Sequence, residues 1–303
     1  MMTNEPIIKV SNLTKNYGNN QGVFDLNFTI HKGEMVGFVG TNGSGKSTTI
    51  RLITGFIKPD SGTSTVYGYD SWTESSKFIR SIGYVPGEIA FPDLFTGKDF
   101  LKSQAELLKI QSFDYANKII ELLQLDIRAN LKRMSKGMKQ KTALVAALMS
   151  DPELLILDEP TTGLDPLMRV KFIDTIKQQH LMGKTILISS QSFEELERTC
   201  DKVIFIYKGH ILAIANMHEI ANRNVQDLKI EFYETNDYLD FKSKGYKIIR
   251  DQMKYNQLTI EVKKDNIGIL MNDLSSYNIK FISEVPYTLE THFKRIAKIK
   301  EEK

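Results

Sequence analysis

The chain has 303 residues, a formal net charge of +3, one cysteine and five histidines. That length supplies a sizeable core and about two domains, and the charge is too weak to argue for nucleic acid or an anionic membrane as partner. The lone Cys200 excludes an internal disulfide framework and fits a reducing cytosol, where it reads as a buried structural thiol. The histidines lack metal-ligand spacing, no apolar run reaches the length of a bilayer span, and the first residues, MMTNEPIIKV, have no signal-peptide layout.

In chain order, residues 7–10 and 23–30 are apolar segments, and the second alternates as a strand does. Tyr17-Gly18-Asn19-Asn20 between them is a turn signal. Tyr17, at a strand end, either packs or stacks on a nucleobase, the latter worth about 1–3 kcal/mol. Residues 35–39, MVGFV, read as a buried strand and 49–53 as the first turns of a helix. Between them lies Gly40-Thr41-Asn42-Gly43-Ser44-Gly45-Lys46-Ser47-Thr48, the glycine-rich loop between strand and helix that defines a phosphate-binding P-loop. Gly40, Gly43 and Gly45 are expected to take positive φ and let the loop N–H groups form a nest for a β-phosphate. Lys46 brings a cation to the β- and γ-phosphates, and the Ser47 hydroxyl suits Mg2+. The bland alternative is a flexible Gly-Ser loop, which the flanking strand and helix disfavour.

Residues 58–62 form a turn, and 64–67 and 81–85 read as strands, the second ended by Pro86-Gly87. From 96 to about 149 the apolar residues fall at helical spacing. Thr96 with Asp99 makes a capping-box-like start, Phe100, Leu101, Leu107 and Leu108 predict one apolar face, and 115–125 and 138–149 read as two further helices. The β/α pattern returns at 154–157, LLIL, a continuous apolar run of the kind buried on both faces of a parallel sheet. A helix over 167–180, a strand over 185–189, a short helix over 193–200 and a hairpin from 203–207 to 211–214 follow. Beyond about Ala221, strands at 227–233, 257–262 and 279–283, a helical stretch at 266–277 and a last helix with Leu289, Phe293 and Ile296 on one face make a small α+β domain. It shows no catalytic constellation, and its lysine-rich end reads as a solvated helix face.

Asp158 and Glu159 leave the apolar strand at its carboxyl end, the edge where α/β folds bind ligands. Asp158 is placed to reach Mg2+, and Glu159 to orient or deprotonate a water. Two solvated acids ending a strand are the alternative, weakened by the P-loop upstream.

Tyr17, the P-loop at 40–48, MSKGMKQK at 134–141, LLILDEP at 154–160 and GLDP at 163–166 together resemble the ATP-binding subunit of ABC transporters, in order and spacing over residues 5 to about 220. The resemblance is nearest to exporter subunits with a separately encoded permease. It implies a P-loop NTPase core with an antiparallel β-subdomain and a helical subdomain at about 90–150 in an α/β domain over 1–220, and an accessory α+β domain over 221–303. It further implies ATP and Mg2+ as cofactors. The active unit would be a head-to-tail dimer with a second copy or a close paralogue, in which Ser135 and Gly137 contact the γ-phosphate across the interface and Asp165 sits at the seam. The partner would be a multi-spanning membrane permease, and the place the cytoplasmic face of the cell membrane, peripherally bound.

Three departures from the family pattern stand out. Leu-Ser-Gly-Gly-Gln is here Met134-Ser135-Lys136-Gly137-Met138, which keeps Ser135 and the second glycine. The usual histidine after the next strand is Gln191, which can donate a hydrogen bond but cannot titrate. The usual glutamine after Val85 is Gly87, with Glu88 next. The resemblance therefore implies an ATPase with Glu159 as base and Gln191 in the histidine's place, or alternatively a slow-hydrolysing clamp. Phe91-Pro92-Asp93-Leu94-Phe95 is either a permease-docking surface or packing at a helix start. A soluble ATPase acting on nucleic acid or ribosomes is a further reading, opposed by the single nucleotide site and the near-neutral charge.

Overall fold

Three sheets organise residues 5–301, the part of the chain that the structure, a computed structural model, describes. The chain divides into two compact units between Met217 and His218.

The strands of the first unit are β1 (Pro6–Gly18), β2 (Gln21–His31), β3 (Met35–Val39), β4 (Ser61–Val66), β5 (Tyr69–Asp70), β6 (Ile82–Val85), β7 (Leu154–Asp158), β8 (Thr185–Ser190), β9 (Lys202–Tyr207) and β10 (His210–Asn216). Its helices are α1 (Lys46–Ile53), α2 (Gly97–Leu107), α3 (Asp114–Leu122), α4 (Lys136–Leu148), α5 (Pro166–Leu181) and α6 (Phe193–Glu197), and a short α7 (Met217–Ala221) spans the division. One sheet is antiparallel, in the order β2-β1-β4-β5. Its first hairpin turns at Asn19 and Asn20, both at positive φ (50° and 58°), the backbone that two-residue hairpin turns favour. The other sheet runs β10-β9-β3-β8-β7-β6, parallel from β9 to β6 with β10 as an antiparallel edge. Every residue of β3, β7 and β8 is buried, which explains the apolar runs MVGFV, LLIL and ILI within them. Ile8, Leu13 and Leu26 of the first sheet, Ile50 and Ile53 of α1, and Phe38, Ile156 and Ile204 of the second form one core. Cys200 is buried beside it, and burial pushes its thiol up to about 12, so it is inert at neutral pH.

The three helices α2, α3 and α4 fill the expected helical block. Thr96 and Asp99 form the capping box at the start of α2. The buried stripe of α2 is Gly97, Phe100, Leu101 and Ala105 with Leu108 half-buried, whereas Leu107 is 58% exposed. Leu107 lies roughly a quarter turn from the centre of that stripe at 3.6 residues per turn, so its assignment to the apolar face is corrected. The helix expected over 193–200 is shorter, Phe193–Glu197.

The second unit contains β11 (Val225–Phe232), α8 (Thr235–Ser243), β12 (Lys247–Gln252), β13 (Gln257–Lys263), α9 (Ile267–Leu274), β14 (Ile279–Val285) and α10 (Leu289–Glu301). The order βαββαβ with an antiparallel sheet β12-β13-β11-β14 is the ferredoxin-like arrangement, followed by one extra helix. Sequence reading found neither α8 nor β12. Its solvated basic helix also needs correction at Arg295, which bonds Asp227 at 2.5 Å and Glu261 at 3.0 Å. Lys298, Lys300 and Lys303 of that stretch lie outside the described side chains. Among the described residues no helix is long and apolar enough to cross a membrane.

Candidate functional site

Parallel pairing brings the carboxyl ends of four strands to one edge. Val39 at the end of β3 pairs with Ser190, and Asp158 at the end of β7 pairs with Ser189. The P-loop, the acidic pair, the segment from Gln191 and the turn at Gly87 therefore emerge side by side, at the edge where open α/β sheets hold ligands.

The loop turns directly into α1, with Gly45 as N-cap at φ 110° and Gly43 at 75°. Gly40 does not take positive φ, contrary to the sequence expectation. What requires glycine there is close approach, since a Cβ would lie 2.3 Å from the Ile206 carbonyl oxygen and 2.4 Å from Ser44 Oγ. Buried Lys46 donates from Nζ to the carbonyl oxygens of Gly40 (2.9 Å) and Thr41 (3.2 Å), and stands 3.5 Å from Glu159 Oε1. A cleft of about 430 Å3 opens over the loop. Of the expected residues, Tyr17, Asn42, Gly43, Gly45, Lys46, Ser47, Thr48 and Glu159 line it, as do Gln21 and Gly22, which sequence reading missed. Gly40 and Ser44 are buried behind the loop, and Thr41 faces solvent.

Glu159 is held in the left-handed region at φ 47°. Its N–H donates to Ser189 Oγ (2.9 Å) and its carbonyl accepts from the Thr162 N–H (3.1 Å). The turn folds its carboxylate back over the sheet edge, where Gln191 Nε2 donates to both oxygens, at 2.9 and 2.8 Å. Buried Asp158 accepts from Ser189 Oγ at 2.6 Å. Ser189 thus ties both acids to β8. The signal for it was two hydroxyls, Ser189 and Ser190, closing an otherwise apolar strand.

Ser135 and Gly137 lie elsewhere. Ser135 is exposed and caps α4, accepting from the Met138 N–H at 3.2 Å, and neither residue lines the P-loop cleft of its own chain. Gly137 sits so close to the loop after Glu159 that a Cβ would lie 2.7 Å from the Gly163 carbonyl oxygen. Asp165 caps α5 by accepting from the Met168 N–H at 2.9 Å. Gly87 stands against Asp158, where a Cβ would lie 2.9 Å from Oδ2, and Glu88 is exposed. Phe91 packs edge-on against Phe100 at 4.7 Å, while Phe95 is 82% exposed.

A bound nucleotide fits this set. The loop presents N–H groups at the start of a helix, Lys46 supplies the cation, and Ser47 and Asp158 are hard oxygen donors of the kind Mg2+ takes.

Residues 23–162 match the family described as ABC transporter. The uncharacterized ABC transporter ATP-binding protein YdbJ of Bacillus subtilis (strain 168) is 32% identical over 294 residues, covering 95% of this chain and 94% of that protein. The bacitracin transport ATP-binding protein BcrA of Bacillus licheniformis is 33% identical over 300 residues, covering 91% of this chain and 97% of that one. Among solved structures, an ATP-binding subunit of an ABC transporter matches with a TM-score of 0.64 and 30% identity, over 72% of this chain and 92% of the other.

Proposed function

This chain belongs to the ATP-binding subunits of ABC transporters, ATPases built on a P-loop, and from that premise we propose that it hydrolyses ATP with Glu159 as general base, Gln191 as the group that holds that base, and a second copy completing each site. The observation that carries the reading is the two-pronged bond from Gln191 Nε2 to the Glu159 carboxylate, 3.5 Å from the P-loop lysine.

In the proposed reaction Glu159 accepts a proton from a water as its oxygen bonds to the γ-phosphorus, and the bond to the β–γ bridging oxygen breaks. Lys46 and the loop N–H groups balance charge on the phosphoryl oxygens. Ser47 and Asp158 would hold Mg2+, which neutralises the β- and γ-oxygens when bound. Tyr17 would stack on the adenine. Gln191 supplies a neutral donor where an imidazole would titrate, so it orients the base without adding an ionisation of its own. Ser135 and Gly137 cannot serve the cleft of their own chain, and the N-terminus of α4 suits an anion. They would therefore meet the γ-phosphate of the second copy.

The partner in this reading is a separately encoded membrane permease, the direction is export, and the chain works at the cytoplasmic face. An apolar groove of about 230 Å3 that includes Phe56, Tyr84, Ile89 and Phe91 offers the permease a surface, and Phe95 of the same segment is exposed.

Sedimentation of the Glu159→Gln variant with ATP tests the two-copy site. ATP-dependent dimers that dissociate with ADP support it, and monomers at saturating ATP overturn it. A slow clamp is the second reading, favoured by Gly87, which places no side-chain amide beside Asp158. It predicts the same dimers in the unmodified chain with little phosphate release.

A further inference from the structure

Glu195 lies in the first turn of α6 and is 4% exposed. A Ser192-x-x-Glu195 spacing at a helix start predicts a capping box, in which the glutamate reaches back to the N-cap backbone. Half of that box forms, since the Glu195 N–H donates to Ser192 Oγ at 3.3 Å. The carboxylate turns elsewhere. Its Oε2 accepts from Ser190 Oγ at 2.8 Å and from Thr161 Oγ1 at 3.2 Å. Its Oε1 is buried and has no protein donor among the described residues. Burying a carboxylate is costly unless it is well bonded, and this one is held by two neutral hydroxyls.

The two hydroxyls belong to the two segments that carry the reacting groups. Thr161 follows Glu159 by two residues, and Ser190 immediately precedes Gln191. Ser190 Oγ also accepts from the Ser192 N–H at 3.0 Å, so it anchors the turn on which Gln191 is mounted. Glu195 therefore closes a bridge between the end of β8 and the loop after β7, directly behind the Glu159–Gln191 contact. A depression of about 300 Å3 lined by Glu159, Thr161, Ser190, Gln191 and Glu195 joins the bridge to the site.

We propose that Glu195 is a positioning residue for ATP hydrolysis: by accepting from Ser190 and Thr161 at one oxygen, it fixes the spacing of the segments that carry Gln191 and Glu159. The proposal rests on the reading of Glu159 as base. It makes a chemical prediction that separates acceptance from charge. Because Oε1 takes no bond from the protein, an amide nitrogen in its place breaks nothing, and the amide oxygen can take both hydroxyls in place of Oε2. Glutamine should therefore substitute, whereas leucine leaves two buried hydroxyls without an acceptor.

The test is steady-state ATP hydrolysis and equilibrium binding of a fluorescent ATP analogue by the full chain and its Glu195→Gln, Glu195→Leu, Thr161→Val and Glu159→Gln variants, with thermal unfolding of each. The expected result is kcat within about twofold of the parent for Glu195→Gln. For Glu195→Leu kcat falls roughly tenfold to a hundredfold, the scale of a displacement approaching 1 Å, with nucleotide affinity unchanged. Thr161→Val, which removes one of the two bonds at nearly constant volume, should fall between and keeps the test decisive if the leucine variant does not fold. Unchanged kcat in Thr161→Val and Glu195→Leu, or loss in Glu195→Gln as deep as in Glu195→Leu, overturns the proposal while Glu159→Gln remains dead. Turnover that survives Glu159→Gln overturns the reading on which the proposal stands.

Discussion

Replacing Gly137 with alanine tests whether the Ser135–Gly137 segment does more than start a helix. The added methyl would lie 2.7 Å from the Gly163 carbonyl oxygen, and ordinary contact begins near 3.4 Å, so one segment must retreat by up to about 0.7 Å. The obstacle is backbone on both sides, because Gly163 is itself at φ 84° and packs on the Lys136 side chain. Helix propensity works in the opposite direction, since alanine in the first turn of α4 gains about 0.5–1 kcal/mol over glycine. Overpacking costs about 1–3 kcal/mol. The net loss of stability should thus stay within about 2.5 kcal/mol, and the variant should fold. Function should suffer more than stability if the segment meets the γ-phosphate of the second copy as proposed, because a sub-ångström displacement there costs roughly tenfold or more in turnover. Steady-state phosphate release and ATP-analogue binding measure this directly. The expected outcome is kcat reduced at least about tenfold with ATP affinity of the isolated chain unchanged, because the segment does not line its own cleft. Full turnover in Gly137→Ala, or a loss confined to ATP affinity, would refute the reasoning.

Other outcomes follow from single contacts. Tyr17 lines the cleft and is 55% exposed, so Tyr17→Ala should weaken ATP binding by about five- to tenfold, the low end for base stacking, and Tyr17→Phe should restore it; titration of the fluorescent analogue checks both. His180 Nε2 lies 3.1 Å from Asp201 Oδ2, and the hydrogen bond to Asp201 holds its imidazole above the ordinary value. A raised folded value stabilises the fold fully below the unfolded pKa near 6.5 and is lost as pH rises through the folded value. His180→Gln should therefore lower stability by under about 1 kcal/mol at pH 6, with a smaller difference at pH 9, as read from denaturant midpoints. Arg295→Ala removes the bond to Asp227, whose side chain is 2% exposed and whose Oδ1 has no partner among the described residues. The second unit should lose about 2–3 kcal/mol, below the usual cost for a broken buried pair because Arg295 is one-quarter exposed. ATP hydrolysis should be unaffected.

The P-loop and β7 were legible because each signal is local. A glycine-rich loop between an apolar run and a helix, or an unbroken LLIL before two acids, needs no distant partner to be read. The elements missed in the second unit lack such a signal. In α8 only Tyr238 and Phe241 are buried, one turn apart in a polar segment. The strand β12 is an edge strand with no buried residue, so it has no apolar period to show. Geometry that depends on register was also invisible. That Ser189 holds both Asp158 and Glu159 follows from the β7–β8 pairing: the hydroxyls that close β8 stand in the sequence, but their partners on β7 do not. Gly40 was legible as an obligatory glycine but for the wrong reason, because the obstacle is Ile206 on a strand more than a hundred residues away. The Glu195 bridge was not read from the sequence either, because its carboxylate bonds two hydroxyls that other segments supply.

The most direct test is Mg2+-dependent phosphate release by the purified chain beside its Glu159→Gln variant, with ATP binding measured on both. The account predicts steady turnover in the first and at least a hundredfold loss in the second, the scale of a removed general base, with binding unchanged. Equal turnover in the two proteins would contradict it, as would a parent chain that binds ATP and dimerises in the presence of its permease yet releases no phosphate.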